Sequence, residues 1–116
     1  MTDIKDITEF QREFDRKHNW IDEYEKMDDK FLQRLQYATI AMAGEVGEFS
    51  NELKKILREK HATESIDEKH ISHMKEELVD VFIYLVILSL ILKVDITKEY
   101  FEKMDKNNER FKKFEK

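Results

Sequence analysis

The sequence predicts an all-α fold, and three observations carry that prediction. Only two glycines and no proline occur in 116 residues, so the chain lacks the punctuation that turn-rich folds need. Charged and hydrophobic residues each make up 41%, with Glu, Lys and Leu abundant, a composition of strong helix formers. Apolar residues recur at alternating spacings of three and four along most of the chain. At this length a single domain, residues 1–116, is expected, built from four to five helices.

The first helix is predicted over Asp3–Lys17, with Ile4, Ile7, Phe10 and Phe14 as its apolar stripe. Lys17-His18-Asn19-Trp20 ends it, and residues 21–28 read as an acidic connector with Tyr24 and Met27 as its apolar points. The second helix is expected over Lys30–Arg58, capped by Asp28 or Asp29. Its core stripe is Leu35, Ala38, Met42, Val46, Phe49, Leu53 and Ile56. Beside that stripe run Ala41, Glu45, Glu48 and Glu52, and then Ile40, Gly44, Gly47 and Asn51. Residues 59–67 read as a polar loop. The third helix is expected over Glu68–Lys93, with a polar row of His73, Glu77, Asp80 and Tyr84. Its stretch Val81–Leu92 is apolar on every side apart from Ser89, and a bilayer span takes about 20 apolar residues. A buried central helix is therefore predicted, with a second subunit covering one of its faces. After a break at Val94-Asp95, the fourth helix is expected over Ile96–Phe114. In it Phe101, Met104, Phe111 and Phe114 face inward, and Lys103, Asn107 and Arg110 form a polar row.

A formal charge of −5 argues against a nucleic-acid polymer as partner, because such binding needs a basic face. The absence of cysteine excludes disulfides and thiolate metal sites. The polar start of the sequence gives no secretory signal, so no membrane association and a cytoplasmic location are expected.

Two acidic pairs stand out, Glu45 with Glu48 and Glu77 with Asp80. Each is an i,i+3 pair that places two carboxylates on one helix face. Antiparallel packing of the second and third helices would let all four converge as oxygen donors for a hard divalent ion, Mg²⁺ or Mn²⁺. Other i,i+3 acidic pairs also occur, among them Asp3/Asp6, Asp22/Glu25, Glu25/Asp28, Glu64/Asp67 and Glu102/Asp105, so spacing alone does not select these two. Context does: they border the most apolar segments, where an unpaired carboxylate is costly. The competing reading is two solvated helix faces, or ion pairs with Lys54, Lys55 and Lys75. Gly44 and Gly47 interrupt the same helix at roughly 1 kcal/mol each, which suggests an edge kept slim for close approach, either by a ligand or by another helix. His70 and His73 are i,i+3, and with His73 four residues before Glu77 they could be read as a transition-metal cluster; they are expected instead at the exposed start of the third helix. A di-iron site would want Glu-x-x-His on each of two helices, and the sequence has none.

The run Gly44-Glu45-Val46-Gly47-Glu48-Phe49, followed by Glu77-Leu78-Val79-Asp80-Val81-Phe82-Ile83-Tyr84-Leu85, resembles the paired signature of the MazG-like all-α NTP pyrophosphohydrolases. Lys103-Met104-Asp105-Lys106-Asn107-Asn108-Glu109-Arg110-Phe111 is similar to that family's third block, and the dCTP-pyrophosphatase-like branch is the nearest. The resemblance spans roughly residues 30–111. It implies a MazG-like helical bundle completed by oligomerisation, as a homodimer or homotetramer. It also implies cleavage of a (d)NTP to a (d)NMP and pyrophosphate in nucleotide-pool housecleaning, with Glu45, Glu48, Glu77 and Asp80 as catalytic Mg²⁺ ligands. Glu48 would orient or deprotonate the water. Lys103, Asn107 and Arg110 would bind phosphate, unless they form only a solvated face. Trp20, with His18, would take the base, unless it staples the connector to the core. Tyr84 would meet the sugar or base, unless it is a core tyrosine. A non-catalytic helical interaction module, with the acids only solubilising its edges, is the alternative from a different class.

Overall fold

The computed structural model describes residues 3–20 and 26–116. Tyr24 and the other expected connector features at 21–25 lie outside the described residues. Four α-helices follow in order, α1 Ile4–Lys17, α2 Asp29–Thr63, α3 Glu68–Ile91 and α4 Ile96–Arg110, and a single 3₁₀ turn covers Lys112–Phe114.

Each α-helix begins on an aspartate. Asp3 forms a reciprocal capping box with Asp6, and the side chains of Asp28, Asp67 and Asp95 accept hydrogen bonds from the backbone N–H groups of Phe31, Lys69 and Lys98. These caps satisfy amide groups that the first turn leaves without intrahelical partners. The helix ends use the left-handed region: Asn19, Glu64 and Lys93 have φ of 56°, 60° and 55°. At Asn19 this bend lets the Trp20 N–H donate to the Asp15 carbonyl at 2.8 Å, folding the tryptophan back on its own helix.

α2 runs one and a half turns further than the sequence predicts. Residues 59–63, expected in a loop, are helical because polarity alone does not break a helix and no glycine or proline stands there. The helix stops only at Glu64, whose carbonyl takes a hydrogen bond from Lys60 Nζ at 2.7 Å. At the other extreme α4 stops at Arg110, short of the expected Phe114.

α2 and α3 form a long antiparallel hairpin, and α1 lies across α3 with light contact to α4. The small core sits at the open end of the hairpin, where Phe31, Ala38 and Ile91 are buried against Leu35, Ile87 and Leu88. Elsewhere the burial predicted from periodicity fails within one chain. Val46 and Leu53 of α2 are exposed, as are Leu85 and Leu92 of the apolar run Val81–Leu92, and Phe101, Met104, Phe111 and Phe114 at the C-terminal end. The reason is geometric: among the described residues α3 is covered chiefly by α2 and α1, and α4 packs lightly, mainly against α1 and the 3₁₀ turn. The radius of gyration is 18.3 Å, whereas a compact domain of this length has roughly 13 Å.

α1 also turns a different face inward than its apolar stripe suggests. Phe10 is 73% exposed and Asp15 only 3%. The inward face carries Ile7, Gln11 and Asp15, so polar groups replace Phe10 where α1 meets the hairpin, and Phe14 stands at the cavity edge.

Candidate active site

The antiparallel hairpin sets Glu45 of α2 opposite Glu77 and Asp80 of α3. One carboxylate oxygen from each of the three can be chosen so that all lie within 4.8 Å of one another. Such crowding disfavours full ionisation. The Glu77 carboxyl is pushed up to about 7, first by its hydrogen bond to Glu45, then by desolvation and by the negative charges of Glu45, Asp80 and Glu48. Its Oε2 is buried without a hydrogen-bond partner. An orphaned carboxylate oxygen facing two further carboxylates, with no cysteine in the chain, fits a hard, oxygen-preferring cation. Glu48 does not join the trio. It lies exposed one turn along α2, near enough for its charge to act on Glu77.

A cavity of about 450 Å³ opens beside the trio, and both Glu45 and Asp80 line it. Its apolar wall is Ala38, Ile83, Ile87 and Ile91, and its polar groups are Gln11, Asp15, Arg34, Tyr37 and Tyr84. Asp15 accepts a hydrogen bond from Gln11 Nε2 at 2.9 Å. Burial holds its carboxyl above the usual range, with the Gln11 bond and the charges of Arg34 and His18 pulling the other way. Tyr84 is half-buried, and desolvation raises its phenol.

Trp20 stands at the edge of this cavity, half exposed. Its ring stacks on His18 at 4.7 Å between centroids and meets Phe14 edge-on at 5.7 Å. His18 is held in turn, its Nδ1 lying 2.7 Å from the Phe14 carbonyl. The tryptophan is thus held as an aromatic plate at the cavity edge, about half exposed.

Periodicity missed Gln11, Asp15, Arg34 and Tyr37 because their chemistry is polar and their neighbours carry the stronger apolar signal. The available clue was the i,i+4 spacing of Gln11 and Asp15, two residues able to hydrogen-bond each other on one face.

Lys103, Asn107 and Arg110 do not reach the carboxylates within this chain. α4 turns away from the hairpin after Asp95, and none of the three lines the cavity beside Glu45. The Arg110 guanidinium lies 5.0 Å from the centre of the Phe111 ring, and Asn107 lines a shallow surface groove with Phe111 and Phe114. Gly44 and Gly47 are both exposed, and a Cβ added at either would meet nothing within 4 Å. Packing inside the chain therefore gives no reason for either glycine.

Residues 33–114 match the MazG nucleotide pyrophosphohydrolase domain. The chain is similar to dCTP pyrophosphatase 1 of Rattus norvegicus and of Mus musculus, at 29% identity over 108 residues, which is 93% of this chain and 58% of each relative. It thus spans less than two thirds of those relatives. Gene 37 protein of Mycobacterium phage L5 is 32% identical over 82 residues, covering 68% of this chain and 70% of its own length. The matched segment includes the Glu45–Glu77–Asp80 trio, Glu48 and all of α4, whereas Trp20, Gln11 and Asp15 precede it. By this match, and by its all-α hairpin carrying the acidic cluster, the chain belongs to the MazG nucleotide pyrophosphohydrolase domain family.

Proposed function

We propose that this chain, acting as one domain, hydrolyses a nucleoside triphosphate between its α and β phosphates, releasing a (d)NMP and pyrophosphate. The observation that carries this reading is the continuity of the acidic trio with an aromatic-edged cavity of nucleoside size. A base and sugar placed in that cavity put the triphosphate beside Glu45 and Asp80.

Glu45, Glu77 and Asp80 hold Mg²⁺, with Mn²⁺ as a substitute. When bound, the ion supplies charge neutralisation of the triphosphate and Lewis acidity toward the α-phosphorus. Trp20 stacks on the base, Asp15 and Gln11 offer hydrogen bonds to its edge, and Tyr84 packs beneath the sugar. Glu48, left out of the trio, orients a water and takes its proton. The water oxygen bonds to the α-phosphorus, and the bond from that phosphorus to the α,β-bridging oxygen breaks. Pyrophosphate leaves with the electron pair.

The charge on the departing pyrophosphate needs cations. Lys103 and Arg110, with the Asn107 amide, supply them from a second copy of the chain. The exposed apolar faces of α3 and α4 are the surfaces that bring the copies together as a homodimer or a homotetramer. A role in clearing surplus or non-canonical nucleotides in the cytoplasm follows from the chemistry. Because the rat and mouse relatives are dCTP pyrophosphatases, dCTP is the first nucleotide to test.

The test is a panel of NTPs and dNTPs with Mg²⁺, with products followed by phosphorus NMR. Pyrophosphate and a nucleoside monophosphate are expected as primary products. Orthophosphate as the primary product, or no turnover of any nucleotide, overturns the reading.

A further inference from the structure

A second cluster lies in the same hairpin seam, two turns along α2 from the acidic trio. Glu52 is seven residues beyond Glu45, about 10 Å along the helix axis. It faces the start of α3. His70 Nδ1 lies 2.8 Å from Glu52 Oε2, and His73 Nδ1 lies 3.8 Å from Glu52 Oε1. Two imidazoles therefore address the two oxygens of one carboxylate. The site is sheltered on one side, with only 16% of the His70 side chain and 13% of the Glu52 side chain exposed, while His73 is open to solvent on the other.

We propose that Glu52, His70 and His73 form a binding site for a borderline transition-metal ion of the Zn²⁺ type, separate from the carboxylate trio. Two histidines and one glutamate are a recognised zinc donor set, which needs only a solvent ligand in the fourth position. In a tetrahedral site with bonds of about 2.1 Å, neighbouring donor atoms stand roughly 3.4 Å apart. One donor atom from each of Glu52, His70 and His73 can be chosen so that all three lie within 4.8 Å of one another, a spread that small side-chain shifts close to that value. The outer partner is present too. His70 Nε2 lies 3.1 Å from Glu59 Oε1, so Glu59 can accept the remaining imidazole N–H and fix the tautomer that leaves Nδ1 free to ligate.

Two other groups touch the cluster. Lys55 Nζ lies 3.3 Å from Glu52 Oε1 and belongs to an exposed side chain that can withdraw. Asp67 falls in a second possible grouping with Glu59 and His70, but it is engaged as the α3 cap. Without metal, His70 bridges Glu52 and Glu59. That role gives no account of His73 turning to the same carboxylate, whereas a metal ion does. The donor set differs from that of the trio: imidazole selects zinc-like ions, and three carboxylates select Mg²⁺ or Mn²⁺. Bound ion would tie the first turns of α3 to α2 and lock the hairpin.

The proposal stands independently of any nucleotide chemistry and is tested by metal binding alone. The metal-stripped full chain is titrated with Co²⁺ in excess Mg²⁺, and Zn²⁺ affinity is measured by competition with a chromogenic chelator. One Co²⁺ per chain with the intense visible absorption of a four-coordinate site is expected. The band should vanish in His73→Ala and His70→Ala and persist in Glu77→Gln. Glu59→Gln should weaken Zn²⁺ binding about tenfold to a hundredfold. Circular dichroism is recorded for each variant. Should His70→Ala unfold, the half-exposed His73 decides. The absence of a Co²⁺ band in the wild type, its survival in folded His73→Ala, or its loss in Glu77→Gln overturns the proposal.

Discussion

Glu77 of α3 faces Glu45 of α2 across the hairpin seam, with a carboxylate oxygen of each within 4.8 Å of the other, and Glu77 Oε2 is buried with no hydrogen-bond partner. The pair is satisfied only while a proton lies between the two carboxyls. Deprotonated, it leaves like charges in contact, and a divalent cation is the natural replacement for the proton.

Glu77→Gln should therefore separate folding from ion binding. The amide removes one of the crowded charges and can hydrogen-bond Glu45, so the ion-free variant should melt at the wild-type temperature or above it. The rise in melting temperature that Mg²⁺ gives the wild type should disappear. Nucleotide hydrolysis should fall by about two orders of magnitude or more. Calorimetry with and without Mg²⁺, beside a pyrophosphate-release assay, checks all three.

The same pair sets a pH dependence. The folded-state pKa of Glu77 is about 7, above its ordinary 4.5. Its contribution to the ion-free fold is thus fully present below the ordinary value and is lost as pH rises through about 7. Divalent ion competes with the proton, so its stabilising increment should grow between about pH 5.5 and about pH 8 and level off above. Melting curves across that range, with and without Mg²⁺, are the measurement. An increment that is flat with pH would remove Glu77 from the ligand set.

Gly47 offers a test of the slim edge. No atom lies within 4 Å of a Cβ built there, so Gly47→Ala should stabilise the isolated chain by about 1 kcal/mol through helix propensity. In the functional assembly the same methyl sits beside the acids, and KM for the nucleotide should rise. Greater stability with unchanged KM would show that nothing approaches this edge.

Trp20 is the only tryptophan, so its fluorescence reports on the cavity without labelling. Titration with nucleotide should quench it. Base stacking of this kind is worth about 1–3 kcal/mol, so Trp20→Ala should raise KM roughly fivefold to 150-fold with kcat much less affected. A tryptophan that only closes the end of α1 would instead lower stability and leave KM alone.

The separation of α4 from the trio leads to a complementation experiment. Lys103→Ala and Glu45→Gln should each be nearly inactive. If phosphate ligands come from the partner copy, a mixed dimer of the two variants rebuilds one intact site. Refolding an equal mixture should then restore about a quarter of the wild-type activity, because half the dimers are mixed and each has one good site. No recovery would place Lys103 in the same subunit's site or outside any site.

The residues that defined the helices and the acidic pairs were legible in the sequence because they act locally. Periodicity, the aspartate caps and the i,i+3 acids depend only on neighbours within a turn or two. That was enough for four helices and to single out Glu45, Glu77 and Asp80, whose carboxylates the hairpin brings together. Local rules failed where polarity was taken as a break, at residues 59–63, since a helix ends for want of hydrogen-bonding geometry and polarity alone does not end it. They failed again on α1, where Phe10 carried the hydrophobic signal but Gln11 and Asp15 face the cavity. Which face of an amphipathic helix turns inward depends on what the neighbouring elements offer it. The tertiary structure decided the remaining points: that Glu48 stands apart from the trio, that Trp20 folds back to the cavity edge, and that His70 and His73 turn toward Glu52. The first and last depend on the rotation of α3 against α2, set by packing between residues far apart in sequence, whereas Trp20 is placed by the left-handed turn at Asn19 and its bond back to Asp15.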